Sequence, residues 1–229
     1  MHIPTASARR DGGRPEDAAR YALRRTSSRE DWAAVRALRF AALSRRGDIP
    51  AGAVPTYGDS HDTATGAFTY LLRRGGTPVG STRSSFATPG AAWPSLEAFA
   101  LDIRGSLAGA SLVEASLTVV DPDDGDPTTA TLHLFKAHML ECAARGADWL
   151  VTAVRDTQIG FYRRVLDMEI LTGTARVAGM ALPRVLMGLR MGERTARLFE
   201  RLPILDVTPA DRRELEASGE VPLRGLSAP

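Results

Sequence analysis

Cysteine and lysine are almost absent from this sequence of 229 residues, which contains one of each, Cys142 and Lys136. A single cysteine excludes an internal disulfide and the paired cysteines of a structural zinc site. Cys142 lies in a helical pattern, so we expect a buried thiol in a reducing, cytoplasmic compartment rather than a nucleophile. His133 and His138 are five residues apart on the same predicted helix and point to different sides, so we expect no metal site.

Long apolar runs are also missing, although 44% of the residues are hydrophobic. No segment approaches the 18 apolar residues typical of a transmembrane helix, so we expect no membrane span. The basic N-terminus lacks the apolar stretch of a secretory signal. We expect residues 1–20, which are rich in Arg, Gly, Asp and Pro, to be a disordered lead-in.

Charge of one sign is not in large excess, because the formal net charge is only +2. The basic residues are nearly all arginines, and they are scattered or occur in short pairs such as Arg73-Arg74 and Arg163-Arg164. Such pairs are typical of solvated faces, although they are also candidates for docking an acidic partner. No repeat and no basic-aromatic stripe is present, so we expect no nucleic-acid partner.

Hydrophobic spacing predicts a mixed α/β domain over residues 21–203. Gly75-Gly76 separates two strand-like segments and predicts a hairpin. A strand, a long helix capped by Thr128 or Thr129, and a mostly apolar strand follow, and we expect residues 204–229 to be a short helix and a loose tail. The predicted strands are 21–25, 66–74, 78–86, 111–120, 149–154 and two within 168–190, and the predicted helices are 29–46, 94–100, 128–145, 157–166 and 209–217.

Several short motifs resemble, in order and spacing, those of N-acyl amino acid synthases and acyl-homoserine-lactone (autoinducer) synthases. They are Leu38-Arg39-Phe40, Asp59-Ser60-His61-Asp62, Gly80-Ser81-Thr82-Arg83 with Thr88-Pro89 and Trp93-Pro94, Glu114-Ala115-Ser116-Leu117, and Phe161-Tyr162-Arg163-Arg164. The resemblance implies the GNAT acyltransferase fold, a central mixed β-sheet flanked by helices, and acyl transfer to an amine. The chain departs from these families at Leu117, where they usually have arginine, and at Asp167-Met168, where they have glycine and an aromatic residue.

The acidic segment from Asp121 to Pro127 bears on the acyl donor. The resemblance places it where coenzyme A-dependent acetyltransferases have a glycine-rich loop that binds pyrophosphate through backbone N–H groups. Four aspartates would repel a pyrophosphate, and Pro127 has no N–H to donate. A plain acidic turn that caps the helix is the alternative interpretation. We therefore expect an acyl-phosphopantetheine on an acyl carrier protein (acyl-ACP) as co-substrate, with acyl-CoA as the second choice and no permanently bound cofactor.

Glu114 lies inside an apolar strand, where an unpaired carboxylate is costly and is often functional. We expect it to be the general base, and a salt-bridged acid facing solvent is the alternative. Arg83 is expected to pair with Glu114 or Asp59, or to bind a substrate carboxylate, and a surface arginine on the strand is the alternative. Asp59 and Asp62 are expected to orient the amine or Arg39, unless they only form an acidic turn.

Four further residues complete the predicted site. The resemblance to GNAT enzymes implies that Tyr162 protonates the leaving thiolate, although a packed aromatic side chain is the alternative. It also implies a strand bulge near Thr118 or Val119 that binds the thioester oxygen. Ser116 is a candidate for substrate binding, and His61, within the aspartate-rich motif, is the alternative general base.

The function predicted from these features is the transfer of a fatty or polyketide acyl group from acyl-ACP to an amino acid, a small amine or a peptide. The product would be a signal or a secondary metabolite. Two alternatives remain open. One is an acyl-CoA-dependent acyltransferase of the GNAT fold, and the other is a catalytically inactive GNAT-fold domain with a binding or regulatory role.

Overall fold

The structure, a computed structural model, describes residues 21–49, 56–86, 93–100, 103, 105 and 107–223. The predicted lead-in (1–20), the Thr88-Pro89 pair and the last six residues of the predicted tail (224–229) lie outside the described residues. Within the described residues, the predicted strands and helices occur in the predicted order, and one further helix and one further strand follow near the C-terminus.

Eight strands and six α-helices have described bounds. The strands are β1 (Tyr21–Arg25), β2 (Ala67–Arg74), β3 (Thr77–Phe86), β4 (Leu112–Val120), β5 (Trp149–Val154), β6 (Glu169–Ala175), β7 (Arg184–Arg190) and β8 (Glu220–Leu223). The helices are α1 (Arg29–Arg45), α2 (Pro94–Ala98), α3 (Pro127–Arg145), α4 (Ile159–Arg164), α5 (Glu193–Arg201) and α6 (Pro209–Ser218). None of the described helices is long and apolar enough to cross a membrane.

The strands form one sheet in the order β6-β7-β5-β4-β3-β2-β1-β8, and its core lies on both faces. β4 and β5 are parallel, and the other neighbouring pairs are antiparallel. Side chains alternate between the faces, so that Leu71 packs with α1 whereas Leu72 packs with α3. The predicted mixed sheet flanked by helices is therefore confirmed.

The parallel pair opens towards its carboxyl ends. β4 and β5 are paired only as far as Ala115 and Thr152, whereas β4 continues to Val120 and β5 to Val154. Beyond the last paired residues, β4 remains bonded to β3 and β5 to β7 on their outer sides. The divergence leaves a gap inside the sheet, and the candidate site lies there.

Capping side chains determine where the two long helices begin. Ser28 caps α1 through a capping box. Asp126 caps α3, and its carboxylate accepts the N–H of Thr129 at 3.1 Å. The prediction of a Thr128 or Thr129 cap is wrong, because Pro127 suits the first helical position and the helix begins earlier.

The C-terminal region extends the sheet. α6 forms close to where a short helix was predicted, but residues 220–223, expected in a loose tail, form β8 and pair with β1. Val221 and Leu223 are buried in this pairing. The helix α5 was also not predicted, because its sequence, ERTARLFER, is mostly polar.

Gly80 lies on β3 opposite β4, where there is little space for a side chain. A Cβ atom at this position would lie 2.9 Å from the carbonyl oxygen of Val119 and 3.0 Å from Cδ1 of Leu134. We expect Gly80→Ala to lower the free energy of unfolding by about 1–3 kcal/mol, because backbone cannot yield to the added methyl group as a flexible side chain can. Urea denaturation measures this change.

Gly173→Ala is the matched control, since a Cβ there meets nothing within 4 Å. It should change the free energy of unfolding by less than about 0.5 kcal/mol. Equal stability of the two variants would contradict the close approach at Gly80.

Candidate active site

A cleft opens where β4 and β5 diverge. Its walls include residues 114–118 of β4 and 152–154 of β5. Of the predicted site residues, those that line the cleft are Asp59, Arg83, Glu114, Ser116, Thr118 and Tyr162. Arg39, Asp62 and His61 are not among the described residues that line it.

A bulge interrupts β4 in the wall of this cleft. The register of β3 and β4 shifts so that Leu117 and Thr118 oppose the single residue Thr82. Leu117 has a φ of 50°, a left-handed conformation that is unusual for leucine. A bulge of this kind takes backbone groups out of the strand ladder and makes them available to a ligand.

His138 of α3 supports the bulge from behind. Its ring nitrogens lie 2.9 Å from the Thr82 hydroxyl and 2.7 Å from the Ser84 hydroxyl. The Thr82 hydroxyl in turn lies 2.7 Å from that of Thr118. Burial lowers the pKa of His138 to about 3, so the ring is neutral at physiological pH. Sequence reasoning missed this contact, because helical spacing does not show that two hydroxyls of β3 meet the ring.

Glu114 is buried in the wall of the cleft, with 1% of its surface exposed. Its Oε1 accepts a hydrogen bond from the Ser95 hydroxyl at 2.8 Å, and its Oε2 has no partner among the described residues. Burial raises the pKa of Glu114 to about 7, against the opposing effects of the Ser95 hydrogen bond and the Arg83 charge. A carboxyl group with this pKa can exchange a proton near neutral pH.

Two buried arginines, Arg39 on α1 and Arg83 on β3, share the carboxylates of the 3-10 turn Ser60–Thr63 and its cap Asp59. Arg39 binds Asp62 through two bonds of 2.7 and 2.8 Å. Arg83 binds Asp59 at 2.5 Å and Asp62 at 3.1 Å. Two positive and two negative charges balance each other, as burial requires.

Arg83 nevertheless keeps unused capacity to donate. Its Nε donates to the Ser116 hydroxyl at 3.1 Å and its Nη1 is held by the aspartates. Its Nη2 is buried and has no partner among the described residues. Buried polar atoms are nearly always paired, so an unpaired donor on Arg83 and an unpaired acceptor on Glu114, both lining one cleft, indicate a ligand with complementary groups.

Tyr162 of α4 is buried at another part of the cleft and packs edge-on against Phe135. Burial raises the pKa of its hydroxyl to about 12, although the charges of Arg46 and Arg184 oppose this effect. The phenol is therefore protonated at neutral pH and lies within the electrostatic influence of two guanidinium groups.

His61 lies in the 3-10 turn that carries the aspartates. It is partly exposed, and a positive charge on its ring would oppose the effect of burial on the carboxyl groups of Asp59 and Glu114. The structure thus places it near the predicted base, outside the described lining of the cleft.

The acidic loop between β4 and α3 satisfies its own backbone groups. The N–H groups of Asp123 and Asp126 donate to aspartate carboxylates of the same loop at 3.0 and 2.7 Å. Arginines from outside pair with two of its carboxylates, Arg45 with Asp123 at 3.0 Å and Arg74 with Asp124 at 3.1 Å. These contacts occupy the N–H groups of Asp123 and Asp126 and neutralise part of the negative charge of the loop.

Comparison with known protein families identifies the chain. The model of the family described as "N-acyl amino acid synthase FeeM" matches residues 34–190, which is more than half of the chain. The chain therefore belongs to this family and is an N-acyltransferase, which transfers an acyl group to an amine, as predicted. No curated protein sequence is similar enough to count as a match.

Solved structures share the fold at low sequence identity. FeeM, an N-acyl amino acid synthase from uncultured soil microbes, is 15% identical with a TM-score of 0.66, over 77% of this chain and 94% of FeeM. The acyl-homoserine-lactone synthase LasI is 16% identical with a TM-score of 0.59, over 78% of this chain and 92% of LasI. The CoA-dependent acyl-homoserine lactone synthase BjaI is 16% identical with a TM-score of 0.57, over 80% and 90%.

The raised pKa of Glu114 makes stability depend on pH. The pKa of Glu114 in the folded protein, about 7, exceeds the ordinary value of 4.5. The contribution of the protonated side chain to stability is therefore fully present below pH 4.5, and it is lost as the pH rises through 7. Glu114→Gln should therefore be more stable than the wild type at pH 8, by up to about 3 kcal/mol, with no such advantage at pH 4.5. Urea denaturation at both pH values measures the difference.

Glu97→Gln, on the exposed surface of α2, is the control and should show no such dependence. Equal free energies of unfolding of the wild type and Glu114→Gln at pH 8 would show that the buried carboxylate does not destabilise the fold.

Proposed function

We propose that this N-acyltransferase moves an acyl group from the phosphopantetheine thioester of an acyl carrier protein to the α-amine of an amino acid. The observation that carries the proposal is that two buried atoms in one cleft, Oε2 of Glu114 and Nη2 of Arg83, have no hydrogen-bond partner among the residues that the structure describes. An α-amino acid has an amine and a carboxylate close together. Its amine can donate a hydrogen bond to Oε2 of Glu114, and its carboxylate can accept one from Nη2 of Arg83.

Hydrogen bonds hold Arg83 and Glu114 in place at the end of the cleft that we assign to the amino acid. Arg83 is fixed by two aspartates and Ser116, so its remaining N–H group has little freedom and can orient a substrate carboxylate. Glu114 is fixed by Ser95, so Oε2 can receive a proton from the amine. Arg39 and Asp62 have a positioning role, because they hold the turn that presents Asp59 to Arg83.

The chemistry assigned to these groups is general acid and base catalysis of aminolysis. Glu114 takes a proton as the amine nitrogen attacks the thioester carbonyl carbon, and a C–N bond forms. The C–S bond then breaks, and the protonated Tyr162 supplies a proton to the leaving thiolate. The bulge at Leu117 and Thr118 provides backbone N–H groups for the carbonyl oxygen, whose negative charge grows in the transition state.

The preference for a carrier protein rests on the loop between β4 and α3. Its aspartates bring negative charge to the position where a coenzyme A pyrophosphate would lie, and they occupy backbone N–H groups. A carrier-bound phosphopantetheine has a single phosphate, so the aspartates of this loop repel it less than they repel a pyrophosphate. The pair Arg163-Arg164 at the end of α4 is a candidate contact for an acidic carrier protein.

Replacement of the base tests the catalytic assignment. Glu114→Gln should lower kcat by about 10²- to 10⁴-fold with little change in acceptor affinity, because the amide keeps the shape and cannot accept a proton. In the wild type, kcat should rise with pH through about 7, as Glu114 becomes ionised. Product formation followed by mass spectrometry gives both quantities.

Glu97→Gln serves as the control and should retain wild-type turnover. If Glu114→Gln keeps its activity and His61→Asn loses it, the base is His61 and the assignment is wrong. Retention of activity by both variants would refute a side-chain base at this end of the cleft.

The donor is tested by supplying the same acyl group on a carrier protein or on coenzyme A, together with a pool of amino acids. We expect kcat/KM to be at least about tenfold higher with acyl-ACP, because the acidic loop repels the additional phosphates of coenzyme A. Equal or better use of acyl-CoA would overturn the preference for a carrier protein.

A further inference from the structure

A chain of hydrogen-bonded side chains runs from β3 through α3 to the wall of the cleft. Its members, in order, are Ser84, His138, Thr82 and Thr118, with distances of 2.7, 2.9 and 2.7 Å between successive polar atoms. The first three are each no more than 1% exposed, whereas Thr118 is partly exposed and lines the cleft. Because the buried groups cannot turn to water, the partners available to each atom determine where its hydrogen lies.

The Ser84 hydroxyl determines which nitrogen of His138 is protonated. Its side-chain partner among the described residues is Nδ1 of His138. If Nδ1 carried the proton, the hydroxyl would accept it, and the hydrogen of Ser84 would be buried without an acceptor. Buried donors without an acceptor are rare, whereas an oxygen with a spare lone pair is tolerated. Ser84 therefore donates to Nδ1, and the neutral ring carries its proton on Nε2.

The position of this proton fixes the direction of the two hydroxyl groups that follow. Nε2 of His138 donates to Oγ1 of Thr82, so the hydrogen of Thr82 must go to another acceptor. Two are within reach, Oγ1 of Thr118 at 2.7 Å and the backbone carbonyl oxygen of Ser116 at 3.5 Å. The first distance is ordinary for a hydroxyl donor, and the second is too long. Thr82 therefore donates to Thr118, whose own hydrogen has no acceptor among the described residues and is available to a ligand in the cleft.

We propose that the Thr118 hydroxyl donates a hydrogen bond to the thioester carbonyl oxygen, beside the backbone N–H groups of the bulge, and that Ser84, His138 and Thr82 are positioning residues that keep its hydrogen available. The inference rests on the proposed function, which places this oxygen at the bulge. The hydroxyl keeps its hydrogen throughout the reaction. It stabilises the negative charge that grows on the oxygen, and a donor oriented in advance needs no reorganisation at that moment.

The tautomer of His138 is measured without turnover, by NMR spectroscopy of the ring nitrogens in the uniformly nitrogen-labelled protein. The ring signals are assigned by correlation to the backbone of the same residue. At neutral pH we expect a proton on Nε2 and none on Nδ1, because Ser84 donates to Nδ1. A proton on Nδ1, or on both nitrogens, would overturn the inference.

Replacement of Thr118 tests its contact with the reacting oxygen. Thr118→Val keeps the shape and removes the hydroxyl, so kcat should fall by at least about tenfold with little change in KM for either substrate. Thr118→Ser keeps the hydroxyl and should retain most of the activity. Thr174→Val, at an exposed position of β6, is the matched control and should keep wild-type turnover.

Thr82→Val tests the positioning role in a double-mutant cycle. Alone, it should lower kcat by at least about threefold, because Thr118 then loses the donor that orients it. Combined with Thr118→Val it should have little further effect, because the hydroxyl that it positions is already absent. Rates are compared under conditions in which urea denaturation shows that each variant is folded. An equal loss in both backgrounds would show that Thr82 only supports the structure of the bulge, and would overturn the positioning role.

This inference and the proposed function fail separately. A fully active Thr118→Val variant would overturn the inference and leave the proposed function intact. Absence of N-acyl amino acid from reactions of the wild type would refute the proposed function. A proton on Nδ1 of His138 would overturn the inference whichever acyl donor the enzyme uses.

Discussion

The parallel pairing of β4 and β5 ends at Ala115 and Thr152, and the active-site cleft exists because both strands continue beyond that point apart from each other. The outer pairings of β4 with β3 and of β5 with β7 keep each strand ordered as it diverges. The bulge at Leu117 lies in the diverging part of β4, and Leu117 and Thr118 line the cleft. The sheet thus forms both the cleft and the bulge in its wall.

Charge is distributed unevenly around this cleft. At one end, two buried arginines and two aspartates neutralise each other and hold Arg83 in place. Burial, rather than an ion pair, determines the state of the neighbouring Glu114, because it raises the pKa of this carboxyl group to about 7. Around Asp48, arginines are in excess over carboxylates among the described residues. The cleft thus has a neutralised group of ion pairs, a buried carboxyl group and an arginine-rich group in its surroundings.

Local patterns predicted much of the fold. The hairpin at Gly75-Gly76 and the buried strand β5 were predicted because alternation and turn residues act over a few neighbours. Glu114 was singled out because a lone acid in an apolar strand is visible in sequence. The pairing of β8 with β1, the contact of His138 with Thr82 and the cluster around Asp48 join residues far apart in the chain. Single-sequence patterns carry no information about such contacts, so these features could not be predicted.

The central claim is that the acceptor site is built for an amine and a carboxylate together. The most direct measurement is a competition, followed by mass spectrometry, between an amino acid, its carboxamide and its decarboxylated amine for one acyl donor. The account predicts that the amino acid is acylated at least about tenfold faster than either analogue, because both leave Nη2 of Arg83 without a charged partner. Equal acylation of the three compounds would contradict the assignment of Arg83 and Glu114 as the acceptor site.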